Sequence, residues 1–533
     1  MHVAEFAGRT LAALGVRQVF GVVGSGNFHI TNALVAAGAT FVAAAHEGGA
    51  ASMADAYARV SGQVGVLSVH QGPGVTNAMT GITEAAKSRT PLLVLAPEAT
   101  QPRSNFYVDL PALTAAVGSA FHRVRPEHAL ADIASAYRLA ASGHCVVLGL
   151  PLDVQGLPAA PGAPVADAPV RLEDPDVSAL GSALAAARRP VFIAGRGARR
   201  ARDQLIGLAD RCGALLATSA AAKGLFHGHP WNLDISGGFA TPLAAELIAG
   251  ADLVVAWGST LNMWTTRHGK LISSGTTVAQ VDRDPAALGV NRPIDVGVVG
   301  DVARVAALLQ PSTSDRYRSD ELRKRIATEG RWRDVSYVDD AVPGRIDPRT
   351  LSIALDDLLP AERTVAVDSG NFMGYPSMFL TVPDAAGFCF TQAYQSIGLG
   401  LASALGAAVA RPDRLTVAAL GDGGFLMSAQ ELLTARRLEL PLVVVVYNDA
   451  AYGAEVHHFG PDGHPLDTVR FPDTDLAAIG AGYGCESLTV REAADLAPVH
   501  DWLAGDRGVP LVIDAKVSSE RGSWWLEEAF RGH

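Results

Sequence analysis

The sequence predicts an α/β protein built from three doubly wound parallel-sheet domains. Short β-rich apolar runs alternate with helix-period segments along the whole chain, the pattern of strands covered by helices on both faces. At 533 residues the chain is too long for one core and should divide into about three. The first and last blocks match in size and strand content around a middle one, which suggests a duplicated architecture.

The first block, residues 1–156, carries the runs RQVFGVV, TFVAAA, QVGVLSVH, PLLVLA and HCVVLGL. An Ala- and Pro-rich stretch without periodicity, 157–171, reads as a linker. The second block, 172–310, has strands near PVFIAG, ALLATS, DLVVAWG and TTVAQVD. The third, 345–533, has them near RTVAVD, RLTVAAL, PLVVVVY and PLVIDAK. A net charge of −11 argues against nucleic acid or an anionic membrane as the main partner. No apolar run reaches the roughly 18 residues of a membrane span. Glu5 and Arg9 stand where a signal peptide would need an apolar core. Cys145, Cys212, Cys389 and Cys485 are scattered without CxxC spacing and read as buried thiols. The expectation is a soluble cytoplasmic enzyme.

The chemistry concentrates at two strand ends in the third block. LTVAAL runs into Gly421-Asp422-Gly423, with Gly424 next, and PLVVVVY runs into Asn448-Asp449. In open α/β sheets, ligands sit beyond the carboxyl ends of strands. If these strands are neighbours, both carboxylates face one crevice. The glycines let backbone approach a ligand, and the following helix aims its N–H groups at any anion there. Two carboxylates beside such a helix start make electrostatic sense when a cation lies between them. Hard oxygen ligands with phosphate oxygens suit Mg²⁺. The local reading is a Mg²⁺-bridged phosphate or diphosphate site. It is no P-loop, because GxxxxGK[ST] is absent.

In the first block, Glu47 follows an apolar strand within FVAAAHEGGAASMADAYARVSG. The Ala and Met positions of its helix should be buried, a costly setting for a carboxylate that is neither protonated nor hydrogen-bonded. Taken alone, it also reads as an ordinary helix N-terminal Glu favoured by the macrodipole. The next strand leads into LSVHQGPGVTNAMTGITEAAKSRT, and VFGVVGSGNFHITNAL forms a glycine turn earlier in the block, at residues 19–34. FTQAYQSIGLGLASALGAA precedes the GDG strand, and residues 424 to 447 separate GDG from the Asn-Asp pair. Together these segments resemble the thiamine-diphosphate-dependent superfamily of acetolactate synthase, benzoylformate decarboxylase and pyruvate decarboxylase, over essentially the whole chain.

That resemblance implies a pyrimidine-binding first domain, a central domain and a diphosphate-binding third domain, with thiamine diphosphate and Mg²⁺ as cofactors. Its metal ligands would be Asp422, Asp449 and the carbonyl of Ala451; the family usually has Asn where Asp449 stands. Gly370, Asn371 and Phe372, in VAVDSGNFMGYPS, would lie near the diphosphate together with Gly421, Gly423, Gly424, Asn448 and Tyr452. The Gln395 carbonyl would accept from the 4′-amino group, and Ile397 would wedge the cofactor into its V shape. Glu47 would sit at the pyrimidine N1′, contributed by another subunit, so a homodimer or homotetramer is implied. The middle-block segments IAGRGARRA and TSAAAKGLFHGHP vaguely resemble those that hold a non-catalytic FAD. GRGARR lacks the third glycine of a dinucleotide fingerprint, which makes FAD the less favoured outcome.

The implied activity is decarboxylation of a small 2-oxo acid. The resulting enamine intermediate is released as an aldehyde or passed to an aldehyde or ketone acceptor. His70 and Glu455 would provide acid–base groups at the reacting carbon, with His457 and His458 lining the entrance. Ser25, Asn27 and His29 would contact substrate. NFYVDL replaces the Phe-Gln-Glu of acetolactate synthases and removes an expected substrate-side Gln. Two other readings stand beside this one: an acyl-CoA lyase resembling oxalyl-CoA decarboxylase, and a catalytically silent binding subunit. A silent relative would be free to lose Glu47, Asp422 and Ile397, and all three are present.

Overall fold

The computed structural model describes residues 1–160, 162, 174–311 and 317–530. Most of the expected linker 157–171 lies outside the described residues. The first sheet contains β1 Gln18–Gly21, β2 Thr40–Ala43, β3 Gly65–Ser68, β4 Leu92–Glu98, β5 Ala120–Arg123 and β6 Cys145–Pro151. The second contains β7 Pro190–Ala194, β8 Leu215–Thr218, β9 Asn232–Ile235, β10 Leu253–Trp257, β11 Thr277–Asp282 and β12 Val296–Val299. The third contains β13 Arg363–Val367, β14 Phe388–Phe390, β15 Leu415–Gly421, β16 Leu442–Asn448, β17 Glu486–Val490 and β18 Leu511–Lys516. Neighbouring strands pair in parallel throughout.

The spatial orders are β2-β1-β3-β4-β6-β5, then β12-β11-β10-β7-β8-β9, then β14-β13-β15-β16-β18-β17. The first and third sheets therefore share one topology, as the matched block sizes suggest. The middle sheet, read from its other end, has the order 3-2-1-4-5-6 of dinucleotide-binding sheets. Sequence reading did not find β5, β9, β12, β14 and β17, and each of these is an outermost strand. The interior strands β4, β6, β16 and β18 are buried along their whole length. Both of their faces need apolar residues, so they read as continuous hydrophobic runs. Edge strands such as AFHR and ESLTV carry no such signal.

The helix Glu47–Ser61 joins the first and third domains. It packs on the helix Gly400–Ala410 so closely that a Cβ on Gly406 would lie 2.1 Å from the Met53 carbonyl oxygen. At the far end of this contact lies a buried charge cluster. Arg59 pairs with Asp55 and with Glu84, both at 2.7 Å, and donates to the Phe390 carbonyl at 2.9 Å. Burial opposes Arg59's charge, and the two carboxylates outweigh it; burial also pushes Asp55 upward. Arg199 of the second domain donates to the carbonyls of Arg59, Ala221 and Phe388, and so touches all three domains. All four cysteines are buried and unbridged. Among the described residues no helix is long and apolar enough to cross a membrane.

Replacing Arg59 by Met leaves two buried carboxylates without their cation, at an expected cost of about 3–5 kcal/mol. Denaturant unfolding followed by tryptophan fluorescence measures it. An unchanged midpoint would show that the cluster does not hold the domains together.

Candidate active site

β15 and β16 are neighbours, with Gly421 opposite Tyr447, so the carboxylates that follow them do share a crevice. It forms one end of a cavity of about 1460 Å³ lined by Gly421–Gly424, Gly370–Phe372, Asp449, Ala451 and Tyr452. Gln395, Ile397 and Glu455 line the same cavity. Glycine is required where the walls come together. A Cβ on Gly423 would meet the Tyr452 ring at 2.6 Å, and one on Gly453 would meet Asp449 Oδ2 at 2.4 Å. Phe372 stacks on Tyr447 with ring centroids 5.3 Å apart, fixing the wall opposite the GDG turn.

Asp422 is buried. Its Oδ1 accepts from the Gly423 N–H at 2.8 Å and its Oδ2 from the Ala451 N–H at 3.2 Å, which ties the two strand ends together. Ala450 takes φ +59°, so the chain turns sharply between Asp449 and Ala451. Burial pushes both carboxyls above the ordinary range, and the charge of Asp422 raises Asp449 further. A buried and a half-buried carboxylate that repel each other at a glycine-lined crevice are a donor set suited to a hard divalent cation. Among the described residues no group of three or more His, Cys, Asp and Glu side chains is arranged for a metal. The remaining ligands would therefore come from a carbonyl, such as that of Ala451, and from a bound diphosphate.

Asn448, expected beside the cofactor, turns the other way. Its Nδ2 donates to Asp514 Oδ1 at 2.8 Å and its Oδ1 accepts from the Ala450 N–H at 3.1 Å, so it braces the turn. Asn27 also differs from expectation. It is fully buried, with Nδ2 on Ser68 Oγ and the Val22 carbonyl and Oδ1 on the Gly24 N–H. Both amide hydrogens are thus used within the fold, and none remains for substrate. Ser25 and His29 are exposed beside it. The His70 ring lies edge-on to Phe106, centroids 5.5 Å apart, and its Nδ1 accepts from the Gly26 N–H at 3.4 Å.

Glu47 heads its helix as expected, but its carboxyl is only partly buried and accepts from Asn77 Nδ2 at 3.1 Å. Neither Glu47 nor His70, Ser25 or His29 lines the cavity that holds Asp422, Ile397 and Glu455. One chain does not bring the two sets together. His457 lines a smaller neighbouring cavity of about 590 Å³ behind Asp449 and Ala451.

Several residues at the site had no sequence signal. Fully buried Asp368, just after β13, accepts from the N–H groups of Ser369, Gly398 and Leu399 at 2.9, 2.8 and 3.2 Å. Burial pushes it up to about 6, and these hydrogen bonds oppose the shift. Glu431 accepts from the Ala45 and His46 N–H groups at 3.2 and 3.0 Å, seating the third domain on the start of the Glu47 helix. Near the C-terminus, Ser523 Oγ donates to Asn371 Oδ1 at 2.6 Å, while Trp525 packs edge-on to Tyr375 and lines the cavity. A lone Asp, Glu or Ser matches no spacing pattern.

The cavity extends into the middle domain, to the Gly195-Arg196-Gly197 turn after β7 and to Ser259 and Asp282. That turn does not form a dinucleotide fingerprint. It continues as a 3₁₀ segment, Arg196–Ala201, and Arg196 and Arg199 reach out to carbonyls of the first and third domains.

Three family models match the chain: the thiamine pyrophosphate enzyme N-terminal TPP binding domain over residues 1–113, the central domain over 177–309, and the C-terminal TPP binding domain over 368–515. The chain belongs to the thiamine pyrophosphate enzymes. It is similar to the "Probable 2-ketoarginine decarboxylase AruI" of Pseudomonas aeruginosa, with 35% identity covering 95% of this chain and 92% of that one. It is 26% identical to the sulfoacetaldehyde acetyltransferase of Rhodobacter capsulatus, over 98% of this chain and 95% of the relative. It is 28% identical to the acetolactate synthase isozyme 2 large subunit of Escherichia coli, over 99% and 97%. This thiamine pyrophosphate enzyme is accordingly of the lyase and transferase type.

Asp422→Ala should weaken Mg²⁺–thiamine diphosphate binding by about 100-fold or more, and Asp449→Asn should stay within a few-fold of wild type. Because the pair holds its protons above the usual carboxylate range, a cation must displace them, and affinity should rise with pH through neutrality. Asp449→Asn should flatten that rise. Titration calorimetry at several pH values checks both outcomes; tight binding by the Asp422 variant would move the metal site elsewhere.

Proposed function

We propose that the chain is a Mg²⁺- and thiamine-diphosphate-dependent 2-oxo-acid decarboxylase, with aldehyde release or transfer to a second carbonyl as the fate of the product carbon. The observation that carries this reading is the pairing of buried Asp422 with half-buried Asp449 at the glycine-lined end of a cavity that also holds Gln395, Ile397 and Glu455. The 35% identity to a relative named as a decarboxylase, against 26% and 28% for the acetyltransferase and synthase, favours decarboxylation. When bound, thiamine diphosphate supplies the nucleophilic carbon and the electron sink that loss of CO₂ from a 2-oxo acid requires.

The residues divide the remaining work. Asp422, Asp449 and the Ala451 carbonyl hold the cation, and the Gly421–Gly424 and Gly370–Phe372 backbones take the diphosphate. The Gln395 carbonyl and Ile397 orient the pyrimidine end, and Glu47 holds a proton at N1′. Glu455 and His70 deliver or remove protons at the carbon that loses CO₂. Because Glu47 and His70 stand outside the cavity of their own chain, a second copy must supply them, and the working unit is at least a dimer. Exposed Phe28 and Phe106 beside the first glycine turn, and exposed Met427 and Tyr394 beside the cavity, support this pairing.

CO₂ release across a panel of 2-oxo acids, with and without acceptor aldehydes, tests the function; no release with any of them would overturn it. Glu47→Gln should keep cofactor affinity while slowing H/D exchange at C2 of the bound cofactor by at least about 100-fold. Mixing and reassociating inactive Glu47→Gln and Asp422→Ala chains should restore about a quarter of wild-type activity, since each mixed dimer has one intact site. No recovery would mean that one chain supplies both groups. His70→Ala and Glu455→Gln should each slow turnover without weakening cofactor binding. Glu455→Gln should also change the aldehyde-to-hydroxyketone ratio, which product analysis reads.

A further inference from the structure

The segment Thr391–Leu399 between β14 and the helix Gly400–Ala410 contains Gln395 and Ile397, yet its own sequence explains little of its shape. Ala393, Tyr394 and Gln395 are exposed. Gln395 adopts φ +61°, a conformation that costs a non-glycine residue free energy unless its surroundings impose it. The surroundings are two buried carboxylates, one at each end. On the entering side, Glu84 of the first domain accepts from the N–H groups of Ala393 at 3.1 Å and Tyr394 at 2.6 Å. On the leaving side, Asp368 accepts from the N–H groups of Gly398 at 2.8 Å and Leu399 at 3.2 Å. Both carboxylates are themselves fixed, Glu84 by Arg59 at 2.7 Å and Asp368 by the Ser369 N–H at 2.9 Å.

We propose that Glu84 and Asp368 are positioning residues that suspend the Gln395-Ser396-Ile397 turn from both ends and thereby set where the pyrimidine half of the cofactor is held. Neither carboxylate lines the cavity, so each acts through the backbone it grips. Charge is what makes the grip strong: a carboxylate accepting two or three N–H bonds in a dry site holds them more tightly than a neutral acceptor. The proposal rests on the functional reading above in one respect only, that the turn faces the pyrimidine. It also makes the Arg59 cluster more than a domain tie, because the same Glu84 that pairs with Arg59 carries one end of the turn. Gly424 belongs to this arrangement too: a Cβ there would lie 2.3 Å from Asp368 Oδ2, so the GDG turn closes over the carboxylate.

Two probes separate the ends of the cofactor. Thiamine diphosphate with Mg²⁺ engages both ends of the site, whereas inorganic pyrophosphate with Mg²⁺ engages the diphosphate end alone. In Asp368→Asn and in Glu84→Gln an amide N–H₂ confronts a backbone N–H, and a hydrogen bond is lost at almost unchanged volume. Calorimetry should record about a tenfold loss of thiamine diphosphate affinity in each variant, with pyrophosphate affinity unchanged, and C2 H/D exchange of the bound cofactor should slow. Equal losses for both probes, or a loss for neither, would overturn the proposal. A wild-type protein that binds pyrophosphate and not thiamine diphosphate would instead overturn the functional reading. Should either variant fail to fold, hydrogen exchange on the wild-type chain decides. The amides of Ala393, Tyr394, Gly398 and Leu399 should be protected while those of Gln395 and Ser396 exchange fast; six similar rates would overturn the suspension.

Discussion

Two carboxyl groups, held close enough that each resists the other's ionisation, dominate this molecule. Asp422 and Asp449 follow neighbouring strands, so the parallel sheet itself brings them together, and the N–H groups of Gly423 and Ala451 hold Asp422 in place. A fold does not keep such a pair for stability, because each carboxylate raises the free energy of the other. The arrangement makes sense when binding supplies the missing positive charge. The surrounding glycines follow from it: where backbone must close around a cation and a diphosphate, side chains beyond Cα have no room.

The other constraint is that the site is assembled from distant parts. Glu431 seats the third domain on the start of the Glu47 helix, Arg59 ties the first domain to the end of β14 and Glu84 ties it to the segment that follows, and Arg199 brings in the second. These contacts join buried charges to backbone groups across domain boundaries, where sliding one domain would strand several charges at once. The chain thus obtains rigidity where flexibility would blur the geometry of a small reacting centre.

Much of this was legible in the sequence. The interior strands announced themselves because both of their faces are buried, and the GDG and Asn-Asp turns because glycine and carboxylate at strand ends have few other uses. The unread strands were short edges; most have half-exposed residues that need no apolar run, and β14 is only three residues long. The site residues that escaped notice, Asp368, Glu84 and Glu431, act by accepting backbone N–H bonds. That role leaves no spacing rule, because the partners are 30, about 310 and 385 residues away. Asn448 and Asn27 misled for the same reason: a motif names the residue, but the hydrogen bonds decide whether its amide faces the cavity or the fold.

The shared topology of the first and third sheets has a further consequence. In the third sheet the ends of β13 and β15 leave Gly370 and Gly421 on the cavity wall, with the Phe372 ring against both. In the first sheet the matching gap, between β1 and β3, is stoppered by Asn27, whose amide meets Ser68 while Thr31 caps the same hydroxyl at 2.8 Å. Of two like halves, one closes this place with an aromatic ring and the other with a small polar plug. The plug fixes the first glycine turn from within, so the exposed Ser25 and His29 ride on a rigid support.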